Sequence, residues 1–200
     1  YLNLVHEIVN GQVTEMRSLP FGAENELVKY FEMLPSSSSI KNMYAEMKSL
    51  SVGKEKEAIQ QLLKHSIKAG AIDVNIMAKV DKNNLSSSGE ILPAEYSDAL
   101  AALRGFANSN LESSIVFSAG YNPRLYNYIE NFKDFYPDKN NHLQKKIILK
   151  VSDYRSALIQ GKLLAKKGLW VSEFRIESGL NCGGHAFATD GLLLGVIFEE

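Results

Sequence analysis

Residues 145–178, KKIILKVSDYRSALIQGKLLAKKGLWVSEFRIES, hold a strand, a helix and a second strand in immediate succession. Lys145 to Val151 is an apolar run set between lysines, as expected of a strand buried on both faces. Ser152 or Asp153 supplies an N-cap for the helix RSALIQGKLLAKKG, and Gly168 closes it. WVSEFRIES, Trp170 to Ser178, is β-branched and aromatic enough for the next strand.

Upstream the same alternation repeats. AIDVNIMAKV (Ala71 to Val80) reads as a strand, and PAEYSDALAALRGFANSN brings Tyr96, Ala99, Leu100, Leu103, Phe106 and Ala107 to one helical face behind Pro93. SSIVFSAG is a short buried strand ending in glycine. NPRLYNYIENFKDFY predicts a helix over 123–136, with Leu125, Tyr128, Ile129, Phe132 and Tyr136 on one face and Asn122 as its cap. Strand–helix alternation implies βαβ units and a parallel sheet. The fold class is therefore α/β, either a (β/α) barrel of the TIM type or a doubly wound open sheet. A whole barrel takes about 250 residues, so the four strands legible here predict a partial one.

The first 65 residues carry a different pattern. ENELVKYFEML and IKNMYAEMKSL predict amphipathic helices, separated by a loop at Pro35 to Ser39. EKEAIQQLLKHSIKAG predicts another, with Ala58, Ile59, Leu62, Leu63 and Ile67 in a stripe and Gly70 as C-cap. VHEIVNGQVTEMRS suggests a hairpin turning at Asn10-Gly11. The domain division expected is 1–65, mainly helical, and 66–200, the barrel portion. A start at Tyr1 and an end at GVIFEE suggest a barrel that continues beyond the chain.

Bulk properties narrow the function classes. Net charge is −1, which argues against nucleic acid or an anionic membrane surface as partner. No apolar run approaches the roughly 20 residues that span a bilayer, and the N-terminus lacks the pattern of a secretory signal. The single cysteine forms no internal disulfide, so a cytoplasmic setting is the expectation. The partner expected is a small-molecule substrate, with a further domain of the same chain as an addition.

In parallel α/β folds chemistry collects at the C-terminal ends of strands. The ends here offer Asn75 and Lys79; Ser118-Ala119-Gly120; Lys150 with Ser152 and Asp153; and Glu177-Ser178-Gly179 leading into Asn181, Cys182, Gly183, Gly184 and His185. Two glycines let a ligand approach the backbone, and a histidine beside them is a candidate acid–base group. Lys150 after Ile-Ile-Leu needs an anionic partner, a phosphate or an electron-rich ring; pairing with Glu177 is the simplest. Asn75 either meets a ligand or bonds a neighbouring strand.

DVNI (Asp73 to Ile76), SAGYNP (Ser118 to Pro123), KVSDYRSAL (Lys150 to Leu158) and NCGGH (Asn181 to His185) together resemble the flavin-dependent nitronate monooxygenase family, over roughly residues 71 to 198. The resemblance implies FMN at the C-terminal mouth of a (β/α)8 barrel. It implies that Asn75, Lys150, Ser178, Gly179, Gly183 and Gly184 bind cofactor, that His185 is catalytic, and that no metal takes part. In place of the family's acidic residue and alanine before the two glycines, this chain has Asn181 and Cys182. Related flavin barrels of the glutamate synthase or dihydroorotate dehydrogenase type use similar parts. Two other readings remain: a non-flavin barrel lyase or isomerase with Lys150 as the Schiff-base or phosphate residue, and a non-catalytic barrel domain of a larger protein.

Overall fold

A computed structural model describes residues 1–22, 24–78, 81–118 and 120–177. The chain divides into two compact units between Gly70 and Ala71, close to the expected boundary. No described helix is long and apolar enough to cross a membrane.

The first unit is helical: α1 (Leu2–Ser18), α2 (Glu26–Met33), α3 (Ser39–Ser49) and α4 (Lys54–Ser66). The hairpin expected around Asn10-Gly11 is instead the middle of α1. Leu2, Val5, Val9, Val13 and Met16 recur at three- and four-residue spacing, a helical period, whereas a hairpin needs alternation. Gly11 costs about 1 kcal/mol against alanine at such a position. Local bonds offset part of it, since Asn10 Nδ2 donates to His6 O at 2.9 Å and Thr14 Oγ1 to Asn10 O at 3.0 Å. The unit's core joins Leu27 and Phe31 of α2, Tyr44 and Met47 of α3, Leu63 of α4, and Ile67. Phe31 and Tyr44 stack with centroids 5.3 Å apart. Gly70 does not cap α4; the helix ends at Ser66, and Ile67 turns extended to bury its side chain. Leu62, placed in the stripe by sequence, is exposed, because it sits on the flank of the Ile59–Leu63–Ile67 line.

The second unit is a parallel sheet: β1 (Val74–Ile76), β2 (Ser113–Phe117), β3 (Lys145–Val151) and β4 (Val171–Ile176), in the order β1-β2-β3-β4. The crossovers carry α5 (Asp98–Ala107), α6 (Pro123–Tyr128) and α7 (Tyr154–Lys166). Asn122 Oδ1 caps α6 by accepting from Leu125 N at 3.1 Å, as the sequence predicts. That helix stops at Tyr128, short of the expected 136, and gives way to 3₁₀ turns at Ile129–Asn131 and Lys133–Phe135. The three-residue period buries Phe135 and leaves Phe132 only partly covered.

Register puts all three crossovers on one face of the sheet. Phe117, Leu149 and Phe174 stand opposite one another across β2, β3 and β4, and so share a face. Tyr126 of α6 stacks on Phe117 at 5.3 Å. A Cβ on Gly161 of α7 would lie 3.1 Å from the Phe174 ring. Lys145, in phase with Leu149, lies over Phe106 of α5 at 4.8 Å from the ring centroid. The other face carries Asn75, Val116, Ile148 and Glu173 in one row, and Ser118, Lys150 and Arg175 in the row above.

Lys145 is fully buried. Its ammonium donates to Ser109 O at 2.8 Å, Ser109 Oγ at 3.1 Å, and Leu111 O. It thus satisfies carbonyls of the loop that follows α5 and leads into β2.

Candidate functional site

Two side-chain pairs stand at the C-terminal end of the sheet. Ser118 Oγ, just past β2, donates to Asn75 Oδ1 and is 3.1 Å from Ile76 O. Asn75 therefore bonds the neighbouring strand, which ties β1 to β2 at the rim. Lys150 Nζ, near the end of β3, is 2.8 Å from Glu177 Oε2, and both side chains are about four-fifths covered (19% and 23% exposed). The pairing expected from the sequence is present. Glu177 N donates to Val151 O at 2.8 Å, which extends the β3–β4 ladder and fixes where its carboxylate starts.

A cleft of about 190 Å³ opens between these groups, lined by Ser118, Gly120, Lys150, Ser152, Gln160 and Glu177 among others. Gly120 has φ +84°, a backbone that a side chain would strain, so the turn leaving β2 needs glycine there. Asp153 caps α7: Oδ1 accepts from Ser156 N at 2.7 Å and Oδ2 from Ser152 Oγ at 2.8 Å. The Ser156 amide, and then the Ser152 hydroxyl, hold the Asp153 carboxyl below its usual range. With the α7 cap occupied by its own carboxylate, the fixed cation of the cleft is Lys150.

Sequence reasoning passed over two members of this region. Gln160 shares the buried face of α7 with Ala157 and Leu164 and is 7% exposed. Its Oε1 accepts from the buried Tyr126 hydroxyl at 2.5 Å. Burial, and then Tyr121, push the Tyr126 phenol far above its ordinary value, so it stays protonated and donates. One signal was available: an uncharged amide in the apolar stripe of an amphipathic helix asks for a buried partner.

The other candidates, Lys79, Ser178, Gly179, Asn181, Cys182, Gly183, Gly184 and His185, lie outside the described residues. Asn75 and Lys150 are not in contact; they sit on strands separated by β2, and Ser118, which bonds one and lines the cleft with the other, lies between them. Among the described residues no cluster of three His, Cys, Asp or Glu side chains is arranged to hold a metal.

A larger groove of about 680 Å³ lies in the helical unit, over Phe21, Val28, Tyr44 and Met47. Two of its charges serve one another: Lys48 is 3.5 Å from Glu32, which also accepts from the Tyr44 hydroxyl at 3.4 Å. Size alone does not make it the site of chemistry. The smaller cleft has the strand-end position, a fixed cation and a partnered carboxylate. Comparison with family models, with curated proteins and with solved structures found no match for this chain.

Proposed function

We propose that residues 71–200 are part of a (β/α) barrel, and that the chain is an FMN-dependent oxidoreductase of the nitronate monooxygenase type. It acts on a small substrate at the C-terminal mouth. Strand order supports the barrel over the doubly wound sheet: β1-β2-β3-β4 runs without reversal, and all three crossover helices share one face. A doubly wound sheet reverses its order and covers both faces.

The observation that carries the flavin reading is the Lys150–Glu177 pair on the strand-end cleft. The polar edge of an isoalloxazine alternates carbonyl acceptors with an N–H donor, and an ammonium beside a carboxylate offers the complementary set. At about 190 Å³ the described cleft is below the roughly 300–1,000 Å³ of a complete ligand pocket, so it fits one edge of such a ring. Lys150 would hold a ring oxygen, Glu177 a ring N–H, and Asn75 with Ser118 would brace the rim. Gly183 and Gly184 would let the ring approach the backbone. FMN, when bound, supplies the two-electron redox chemistry. His185 would take a proton from the substrate carbon or bind its oxygens.

The Lys150 Nζ is engaged by the Glu177 carboxylate at 2.8 Å, which weighs against the Schiff-base alternative. Among the described residues the cleft is open, which favours a ligand site over a filled, non-catalytic mouth. Titration of the chain with FMN, followed by flavin absorbance, tests the proposal. Saturable binding that weakens in Lys150→Met, with His185→Ala retaining flavin but losing nitronate turnover, is expected. A chain that does not bind FMN refutes it.

A further inference from the structure

The helical unit holds an opening that the strand-end cleft leaves unexplained. At about 680 Å³ its groove is within the roughly 300–1,000 Å³ of small-molecule pockets. Five successive stretches line it: the turn after α1, then α2, α3, the turn after α3, and the first part of α4. The buried Tyr44 and Met47, with the partly buried Phe21 and Val28, supply its apolar surface. The Phe21 and Tyr44 rings are 6.2 Å apart and tilted, so part of that surface is aromatic. Gly22 and Gly53 also line the groove, and a Cβ at either would meet nothing within 4 Å, so there is open space beside both.

The charged residues of the groove divide by whether they are already engaged. Both of its lysines are. Lys48 is 3.5 Å from Glu32 and lies over the Tyr44 ring at 5.3 Å from its centroid. Lys56 donates to the carbonyl of Leu50, the C-cap of α3, at 2.8 Å. Of the three glutamates, Glu32 has Lys48, whereas the carboxylates of Glu24 and Glu57 form no ion pair or hydrogen bond among the described residues. An anion entering here meets lysines that are already held. A cation meets two free carboxylates beside aromatic and aliphatic surface. Lys48 displays the same chemistry from within the protein, an ammonium placed between a carboxylate and a ring.

We propose that this groove binds a small hydrophobic amine, a primary ammonium on a short apolar body that carries a ring. The body lies on Phe21, Val28, Tyr44 and Met47, and the Glu24 and Glu57 carboxylates attract the ammonium. Every residue invoked belongs to the first unit, so the site is independent of the flavin reading of the second.

The test uses phenethylamine, phenethyl alcohol and phenylacetate, which share a body and differ in charge at neutral pH. Each is titrated into the whole chain and followed by NMR shifts of the Met47 methyl and the Tyr44 ring, because Trp170 lies in the other unit. The amine should bind tightest, the alcohol more weakly and the acid most weakly. Ion pairs at an exposed rim are modest, so Glu24→Gln and Glu57→Gln should each weaken the amine by about threefold, and together by about tenfold, with the alcohol unchanged. Added salt should narrow the gap between amine and alcohol by screening. Val28→Thr keeps the shape of the side chain but not its apolarity, and should weaken amine and alcohol alike. Circular dichroism checks that each variant keeps its fold.

Phenylacetate binding as tight as phenethylamine overturns the proposal, and so does amine binding that the double variant leaves unchanged. Wild-type Met47 and Tyr44 signals that none of the three probes moves overturn it as well.

Discussion

Replacing Lys145 by methionine should destabilise the second unit, and the structure gives the size of the effect. The ammonium is fully buried and bonded to Ser109 O, Ser109 Oγ and Leu111 O, with the Phe106 ring beneath it. Lys145→Met keeps most of the stem and leaves the carbonyls of Ser109 and Leu111 without this donor, at about 1–3 kcal/mol for each buried orphan. Removing the cost of burying a charge offsets part of this. The net loss is about 2–4 kcal/mol, a fall in Tm on the order of 10 °C. Urea unfolding followed by circular dichroism and by Trp170, the only tryptophan and a member of this unit, reads it.

The pH dependence supplies a second, independent readout. Burial pushes the Lys145 ammonium below its ordinary 10.5, with Asp134 opposing weakly. The unfolded chain therefore holds a proton that the folded chain has released in the window between the lowered value and 10.5. In that window stability contributed by this residue rises with pH. The difference between wild type and Lys145→Met should widen as pH climbs toward 10. A variant as stable as wild type at neutral pH, or a difference that shrinks toward pH 10, would refute this assignment of Lys145.

Three further outcomes are expected. Asn122→Ala removes the α6 cap on Leu125 N and should cost about 1 kcal/mol by denaturant midpoint, with Asn122→Asp nearly neutral. Gly161→Ala places a Cβ 3.1 Å from the Phe174 ring, but Phe174 is 47% exposed and free to shift, so the helix gain of up to about 1 kcal/mol should outweigh the contact; a loss larger than that would show the ring is held. Below neutrality, the Asp153 carboxyl, held low by the Ser156 amide, contributes stability above its unfolded value of 3.8 that is lost as pH falls through its lower folded value, so Asp153→Asn should flatten the acid limb of the stability curve.

What the sequence could carry follows from how local the signal is. β3 runs from Lys145 to Val151 as read, because a continuous apolar run admits few other conformations. The Asp153 cap was legible for the same reason, cap geometry being a short-range rule, and the Lys150–Glu177 pair was legible because a lysine ending an apolar strand needs an anionic partner. α1 was misread because Asn-Gly is a turn signal by itself, and the apolar period spanning it had to be weighed above the dipeptide. α6 was read too long because Phe132 and Tyr136 fit a helical stripe, while the core takes Phe135 through 3₁₀ turns. Lys145 and the Tyr126–Gln160 bond were out of reach. Their partners are 34 to 36 residues away, and nothing in a sequence window says that a strand's first lysine turns inward.

The visible absorption spectrum of the chain, purified without added cofactor, bears on the whole scheme at once. Flavin bands near-stoichiometric with protein, diminished in Lys150→Met, are the predicted result. A colourless protein that stays colourless after incubation with FMN would contradict it and return the Lys150–Glu177 pair to a purely structural role.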